Sequence, residues 1–419
     1  MTIKEVTFMF KKITAILMAF TFIFTLASCG KGSFLDRFKT PPVTEQETEA
    51  VAEPVISEDI PEISKKIVIL VPAGEQFNEG IMAADMLQKK YADNVIVKEY
   101  QNNYTLADNL GHGVIDVAAE VAADKSVGAI VFAKSTRLTN EAITAALGNN
   151  PELKIICIEP EDSVDKIAAK CDLVLCVDWV SAANDMVALA KSQGATQFLM
   201  MSFDRHIGSG TNDSDNTSLL AATAKSAISA ACQNQEIEFI YHNCPDPISA
   251  DGTKAVKKDI RDSLTRYKES GKIAEESVAL FSTDYFIQNE LINIANENKY
   301  VYVSPAFPTA YNGICDLYSV ELPENPYSTG SFKADVASAT VSAKAILGYY
   351  NYPLETVLLT GAVHTAFDML AGKTTANNMA DRVAMRLNDA AASKDFAVKS
   401  FGSGNNIYTA YCPAFEALH

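Results

Sequence analysis

The sequence predicts an α/β protein of two Rossmann-like lobes, each built on a parallel sheet. Three observations lead there. From Lys66 onward, short β-rich runs alternate with longer segments of helical period. Those runs are continuously apolar rather than alternating, as a parallel strand covered on both faces requires. The same strand–helix–strand grammar then restarts after Gly194, and such repetition gives right-handed crossovers and a doubly wound sheet.

In order, "KIVILV" is closed by Pro72, and "FNEGIMAADMLQKKYA" follows with Ile81, Ala84 and Leu87 at helical spacing. "NVIVKEY", a helix near Asp108 to Asp124 and "VGAIVFA" come next. A helix from Thr139, "LKIICIEP", a short helix around Asp165 and "DLVLCVD" complete the first set. A helix from Ser181 to Gln193 leads to the second set: "TQFLMMSF", a helix from Asn216 to Cys232, "IEFIYHNC", "AVKKDIRDSLTRYKES", "SVALFST", "YFIQNELINIANEN" and "YVYVSP". Residues 331–393 read as mostly helical, including "ADVASATVSAKAILGYY" and "TANNMADRVAMRLNDAA", with "NIYTAYC" a late strand. The lobes are therefore expected at 65–193 and 194–305. Residues 306–419 are read as helical return segments, the return itself falling near Pro305 to Gly313.

Ahead of the lobes, Lys4, Lys11 and Lys12 precede an apolar stretch from Ile13 to Leu26, then Ala27, Ser28 and Cys29. A basic head, a short apolar core and small residues before a cysteine describe a secretory signal over 1–28, too short for a span of about 20 residues. Residues 29–64 hold Pro41, Pro42, Pro54 and Pro61 among glutamates that include Glu45, Glu47, Glu49, Glu53 and Glu58, and such a segment buries too little apolar surface to offset the entropy of ordering. It is expected to be a tether.

The net charge is −17, and residues 1–28 carry three Lys and one Glu, so the remainder is more acidic still. An acidic body repels phosphate backbones, which argues against nucleic-acid binding. Of eight cysteines, Cys157, Cys171 and Cys176 lie in apolar runs and read as core, while Cys244 and Cys315 are candidates to pair. No CxxC pair, HExxH or nucleophile elbow is present, so no cofactor, no metal and no catalytic set is expected.

Ligands of open parallel sheets bind outside the carboxyl ends of the strands. The residues just past each apolar run are therefore the candidates. The first lobe offers Glu75, Phe77 and Asn78, then Lys134 and Ser135, then Asp178 with Trp179, the only tryptophan. The second offers Phe203, Arg205 and His206, then Thr283, Asp284 and Tyr285, and Ser304. An indole beside a carboxylate suits a stacked ring with hydroxyls held by the acid, though Trp179, Phe77 and Tyr285 also suit core packing, which is favoured for Phe77. Arg205 with His206 can clamp an anion, or Arg205 can pair with Asp204 or Asp246. Asp284 can hold a hydroxyl pair or cap the helix from Tyr285.

Cys29 after Leu-Ala-Ser resembles the bacterial lipobox, in which the thiol is acylated. With the tether and two sequential lobes, the chain resembles the type I periplasmic-binding-protein superfamily. "AGEQFNEG" resembles the basic-membrane-protein lipoproteins that bind nucleosides. "MSFDRHI", "CPDPISADG", "ALFSTDYFIQNELI" and "VSPAFP" are similar to a bacterial lipoprotein family of the same architecture and no established function. Asp204 stands where that family has proline and Asp284 where it has asparagine. The resemblance implies the type I periplasmic binding protein fold. It also implies a monomeric, non-enzymatic solute-binding lipoprotein on the extracytoplasmic face of the membrane. Such a protein captures a small polar ligand, a nucleoside or sugar, and delivers it to an ABC permease. The alternative is a ligand-sensing surface lipoprotein that acts on a signalling partner without transport.

Overall fold

The computed structural model describes residues 59–101, 112–207, 219–247, 252–304, 310–321, 329–350, 352–401, 406–411 and 415–417. The signal, Cys29 and most of the tether lie outside them. Among the described residues, no helix is long and apolar enough to cross a membrane.

The first sheet has seven strands: β1 (Lys66–Pro72), β2 (Val95–Tyr100), β3 (Val127–Phe132), β4 (Lys154–Ile158), β5 (Leu173–Val177), β11 (Ala397–Ser400) and β12 (Ile407–Tyr411). Their spatial order is β11-β12-β5-β4-β3-β1-β2, all parallel except β11. The second sheet holds β6 (Gln197–Ser202), β7 (Glu238–Asn243), β8 (Val278–Ser282), β9 (Val301–Val303), β10 (Ile346–Tyr350) and β13 (Phe415–Ala417). Its order is β13-β10-β9-β8-β6-β7, with β13 the antiparallel member. Both sheets thus carry the doubly wound 2-1-3-4-5 arrangement, and each has a switch point where the winding reverses.

The continuous apolar runs are explained by burial on both faces. Alternate residues of the second sheet enter different cores: Phe198, Met200, Phe281 and Val303 join one cluster, while Leu199, Met201, Leu280 and Tyr302 join another. The first cluster is continuous with the core of the first lobe. The bridge is α5 (Trp179–Ser192), which leaves β5 and packs on α7 (Leu219–Asn234), β9 and β13. Asp178, Trp179 and their helix therefore belong to the junction between lobes.

Three expectations are corrected. "AILGYY" was expected to be helical, but Ile346–Tyr350 is strand β10, parallel to β9. A Cβ on Gly348 would sit 2.4 Å from Leu189 Cδ2 and 3.3 Å from the Phe415 ring, so close packing of α5 and β13 selects glycine there. Consequently the chain stays with the second sheet to Tyr350 and returns to the first lobe with α12 (Leu354–Leu370), not near Pro305 to Gly313. The segment after 305 also supplies four strands, β10 to β13, so it is more than helical return.

Helix α12 is buried from Leu354 to Met369 and meets β1, β3, β4 and α1 (Asn78–Lys90). A helix buried all round must satisfy its polar side chains internally. Asp368 does so with Arg386 of α13 (Met379–Ala391), at 2.8 Å and 2.7 Å, both side chains fully buried. Glu79 of α1 accepts from the Thr356 N–H at 2.9 Å. Glu355 beside it is buried, and its Oε2 finds no hydrogen bond among the described residues. Burial, reinforced by the Glu79 charge, pushes the Glu355 carboxyl well above its ordinary range. Cys244 and Cys315 are free, buried thiols rather than a pair.

Candidate functional site

The switch point of the first lobe lies between β1 and β3. Past β1, Gly74 adopts φ +133°, a left-handed conformation that L side chains resist. It turns the chain into a 3-10 turn, Glu75–Phe77, that precedes α1. That turn packs against α10 (Ala310–Tyr318) of the second lobe, and Phe77 is buried. Phe77 is thus structural rather than a platform for a ligand. Glu75 and Asn78 share this turn and helix start; Asn78 is half-buried.

Past β3, Lys134, Ser135 and Thr136 are held by their backbone and by Tyr100, whose hydroxyl donates to the Lys134 carbonyl at 3.2 Å and meets Thr136 Oγ1 at 2.9 Å. Ser135 donates its N–H to Ile158 and accepts from Glu161, so the ends of β3 and β4 are stitched together. Its hydroxyl is buried without a hydrogen bond among the described residues. Sequence reasoning passed over the end of β4, where Glu159 and Glu161 sit. Glu159 accepts from the Val177 N–H at 2.5 Å and takes φ +47° to do so. Burial raises its carboxyl, opposed by Lys134, the Val177 N–H and Trp179. The signal was available: Glu159 is the first polar residue after "KIICI", where the strand-end rule looks.

Past β5 the reading fails. Helix α5 begins at Trp179, so Asp178 becomes its N-cap. The carboxylate accepts from the Ser181 N–H at 3.1 Å and the Ser181 hydroxyl at 2.8 Å, with Lys399 at 3.1 Å. Trp179 is 6% exposed and packs on Phe281 at 6.2 Å between ring centres. Asp178 and Trp179 are therefore a cap and a junction core residue, not a hydroxyl clamp and a stacking face.

In the second lobe, a connected set grows from the ends of β6 and β8. Arg205 lies on α6 (Asp204–Ile207) and forks onto Asp246 through Nε at 2.8 Å and Nη2 at 3.1 Å. This is the structural pairing the sequence left open, with Asp246 rather than Asp204. The guanidinium lies 4.7 Å over the ring of Phe203, which is fully buried. His206 rests on the same ring at 4.2 Å. Its Nδ1 meets Thr283 Oγ1 at 3.0 Å, and Thr283 meets Ser202 Oγ at 2.6 Å. Burial, then the charges of Arg205 and Lys134, hold His206 well below its ordinary value, so the imidazole is neutral at pH 7.

Asp284 caps α9 (Tyr285–Asn298) by accepting the Phe286 N–H at 2.9 Å. Burial pushes its carboxyl up to about 6, with Arg205 and the cap opposing, and Asp246 and Glu161 adding to the rise. Tyr285 donates to Asp316 of α10, and its ring packs edge-on against Phe286 at 5.3 Å. Ser304 is buried, and its N–H donates to Gly348. Its side chain is fully buried beside Tyr302 in the core.

Two electrostatic effects cross between lobes. Lys134 of the first lobe acts on His206, and Glu161 of the first lobe acts on Asp284. Such effects fade beyond a Debye length of about 8 Å at physiological salt, so these strand ends of the two lobes share one neighbourhood. Its chemistry is polar and mixed in sign: an ammonium, carboxylates, a neutral imidazole and hydroxyls.

A family model described as "Protein of unknown function (DUF3798)" matches residues 65–346. An uncharacterised protein of Treponema pallidum (strain Nichols) is 25% identical over 124 residues, 30% of this chain. The chain spans about half, 52%, of that relative's length. Among solved structures, a candidate transcriptional regulator from Clostridium difficile 630 aligns with TM-score 0.64 at 15% identity, covering 85% of this chain and 100% of that one. A periplasmic ribose ABC transporter protein from Conexibacter woesei DSM 14684 aligns at 0.46 with 12% identity, over 74% of this chain and 86% of that one. With two lobes of 2-1-3-4-5 order and three crossings between them, the fold is the type I periplasmic-binding-protein fold.

Proposed function

The chain belongs to the DUF3798 family of proteins of unknown function, and on that premise we propose from the cleft that it is a lipid-anchored solute-binding protein of an ABC-type uptake system. The lobes hinge about their three crossovers, and a small solute held by both favours the closed form. Only contacts made better in the closed form shift that population.

The observation that supports the reading is that charges of the first lobe act on groups of the second, Lys134 on His206 and Glu161 on Asp284. A neutral imidazole, a carboxylate and an ammonium suit a hydroxyl-rich solute, which accepts and donates at each oxygen. With Trp179 committed to the core, the argument for a stacked base weakens, and a sugar stands ahead of a nucleoside. Cys29 would hold the lobes to the extracytoplasmic face through its lipid and tether.

The test is a thermal-shift screen of the purified protein against sugars, nucleosides and amino acids. A solute at 100 times its dissociation constant adds about 2.7 kcal/mol of stability. A sugar or nucleoside hit supports the reading. A panel in which neither class moves the melting point refutes it.

A further inference from the structure

At the carboxyl end of β7, His242, Cys244 and Asp259 bring three donor atoms, one each of nitrogen, sulfur and oxygen, within 4.8 Å of one another. We infer that they form a binding site for a divalent ion of the zinc class, and that the ion braces the loop from which Asp246 holds Arg205.

Local structure explains how the three meet. On strand β7, residues two apart share a face, so buried Ile240, His242 and the following Cys244 all point the same way. Helix α8 (Gly252–Glu269) packs on that face through Val256 and Ile260, which share a core with Ile240 and Cys244. Asp259 is on the same helix, and its Oδ2 lies 2.7 Å from His242 Nε2. The position of Cys244 is fixed by its N–H, which donates to Ser202 at 2.7 Å.

The surroundings are those of a ligand set. The other nitrogen of His242, Nδ1, meets the Tyr267 hydroxyl at 2.9 Å, with the rings edge-on. Tyr267 lies on α8 as well, so one helix supplies both a ligand and the group that orients another. A partner on the second nitrogen of this kind fixes the ring and leaves Nε2 for the metal. Zinc bonds of about 2.0 Å to nitrogen and oxygen and about 2.3 Å to sulfur put neighbouring donors about 3.3 to 3.6 Å apart in a tetrahedron. Side-chain rotation of about 1 Å reaches that geometry from the one observed.

The charge also balances. On binding, the Cys244 thiol releases its proton to solvent, and the thiolate and Asp259 carboxylate neutralise the dication. A neutral cluster tolerates the burial of Cys244, where a lone thiolate would not. Thiolate with imidazole selects zinc, cobalt or nickel over magnesium or calcium. Three protein donors leave a fourth position for water. Asp246 follows Cys244 by two residues, so an ion at Cys244 would stiffen the Arg205 anchor.

The experiment uses the full chain in detergent, stripped with chelator and titrated with Zn²⁺ or Co²⁺ alone. We expect one zinc equivalent to survive gel filtration, and cobalt to give a thiolate charge-transfer band. Cys244→Ser removes the band, and Tyr267→Phe weakens zinc about 10- to 100-fold, as loss of an orienting partner does. Asp259→Asn weakens it at least as much. Cys232→Ser, on α7, leaves both unchanged. Failure to retain zinc, a cobalt spectrum without a thiolate band, or zinc bound by Cys244→Ser as tightly as by the parent would each overturn the site. If Cys244→Ser does not fold, the parent's cobalt spectrum and the Tyr267→Phe affinity decide.

Discussion

Asp284 is both a helix cap and a cleft carboxylate, and the two roles separate by substitution. Asparagine caps a helix about as well as aspartate, whereas alanine loses the cap at about 1 kcal/mol. Asp284→Ala should therefore lower stability by about 1 kcal/mol and Asp284→Asn by a few tenths. Both should lose the solute. A hydrogen bond to a charged group contributes about 1.5 to 3 kcal/mol, or about 10- to 150-fold in Kd. The carboxyl sits at about 6, so about nine-tenths is ionised at pH 7 and about one-tenth at pH 5. Affinity should thus fall about tenfold between those pH values, and the slope should vanish in Asp284→Asn. Stability moves the other way. Because the folded value is raised, the group's stabilising contribution is fully present below its unfolded value of 3.8 and is lost as pH rises through about 6. Titration calorimetry of the best thermal-shift solute at pH 5, 6 and 7 checks this. If Asp284→Asn binds within twofold of the parent and keeps the same pH slope, Asp284 is only a cap.

Arg205→Ala strands the partly exposed Asp246 carboxylate and should cost about 2 kcal/mol in urea unfolding, with Arg205→Ala/Asp246→Ala costing less than the two singles together. Asp368→Asn leaves fully buried Arg386 with the longer pair to Asp389, at 3.3 Å, as its remaining carboxylate contact and should cost about 3 kcal/mol. Asp368→Leu/Arg386→Met should recover most of that, read by the same method. Glu355→Gln should match or exceed the parent in stability at pH 7. Glu355 is raised above its ordinary 4.5, so its stabilising contribution is lost as pH rises past that value, and the variant's advantage should grow between pH 4.5 and 8. An advantage that shrinks with pH would show that Glu355 is ionised and paired.

Much of the fold was legible because burial on both faces leaves a plain mark: the inner strands β1, β3 to β6, β8 and β9 are read from continuous apolar runs, and the edge strands β2 and β7 from shorter, mixed ones. β10 was not, because "AILGYY" follows an Ala/Ser-rich helix without a break, and its glycine answers to Leu189 and Phe415, which are remote in sequence. The strand-end rule leads to Lys134, His206, Thr283 and Asp284, which lie just past β3, β6 and β8, since it rests on sheet geometry. It overreached at Asp178 and Trp179, where a helix that starts at once takes the carboxylate as a cap and carries the indole across to Phe281. It also omits the end of β4, where Glu159 and Glu161 follow "KIICI". No local spacing links His242 and Cys244 to Asp259, because α8 folding back over β7 is what unites them.

The central claim is that two lobes close on a solute held between their strand ends. Its most direct test places a fluorophore pair on exposed rim residues, Asp165 on the first lobe and Asn243 on the second, and measures energy transfer with and without the best thermal-shift solute at saturation. A shorter separation on binding is the result predicted here. A solute that binds at saturation while the separation stays unchanged would contradict it.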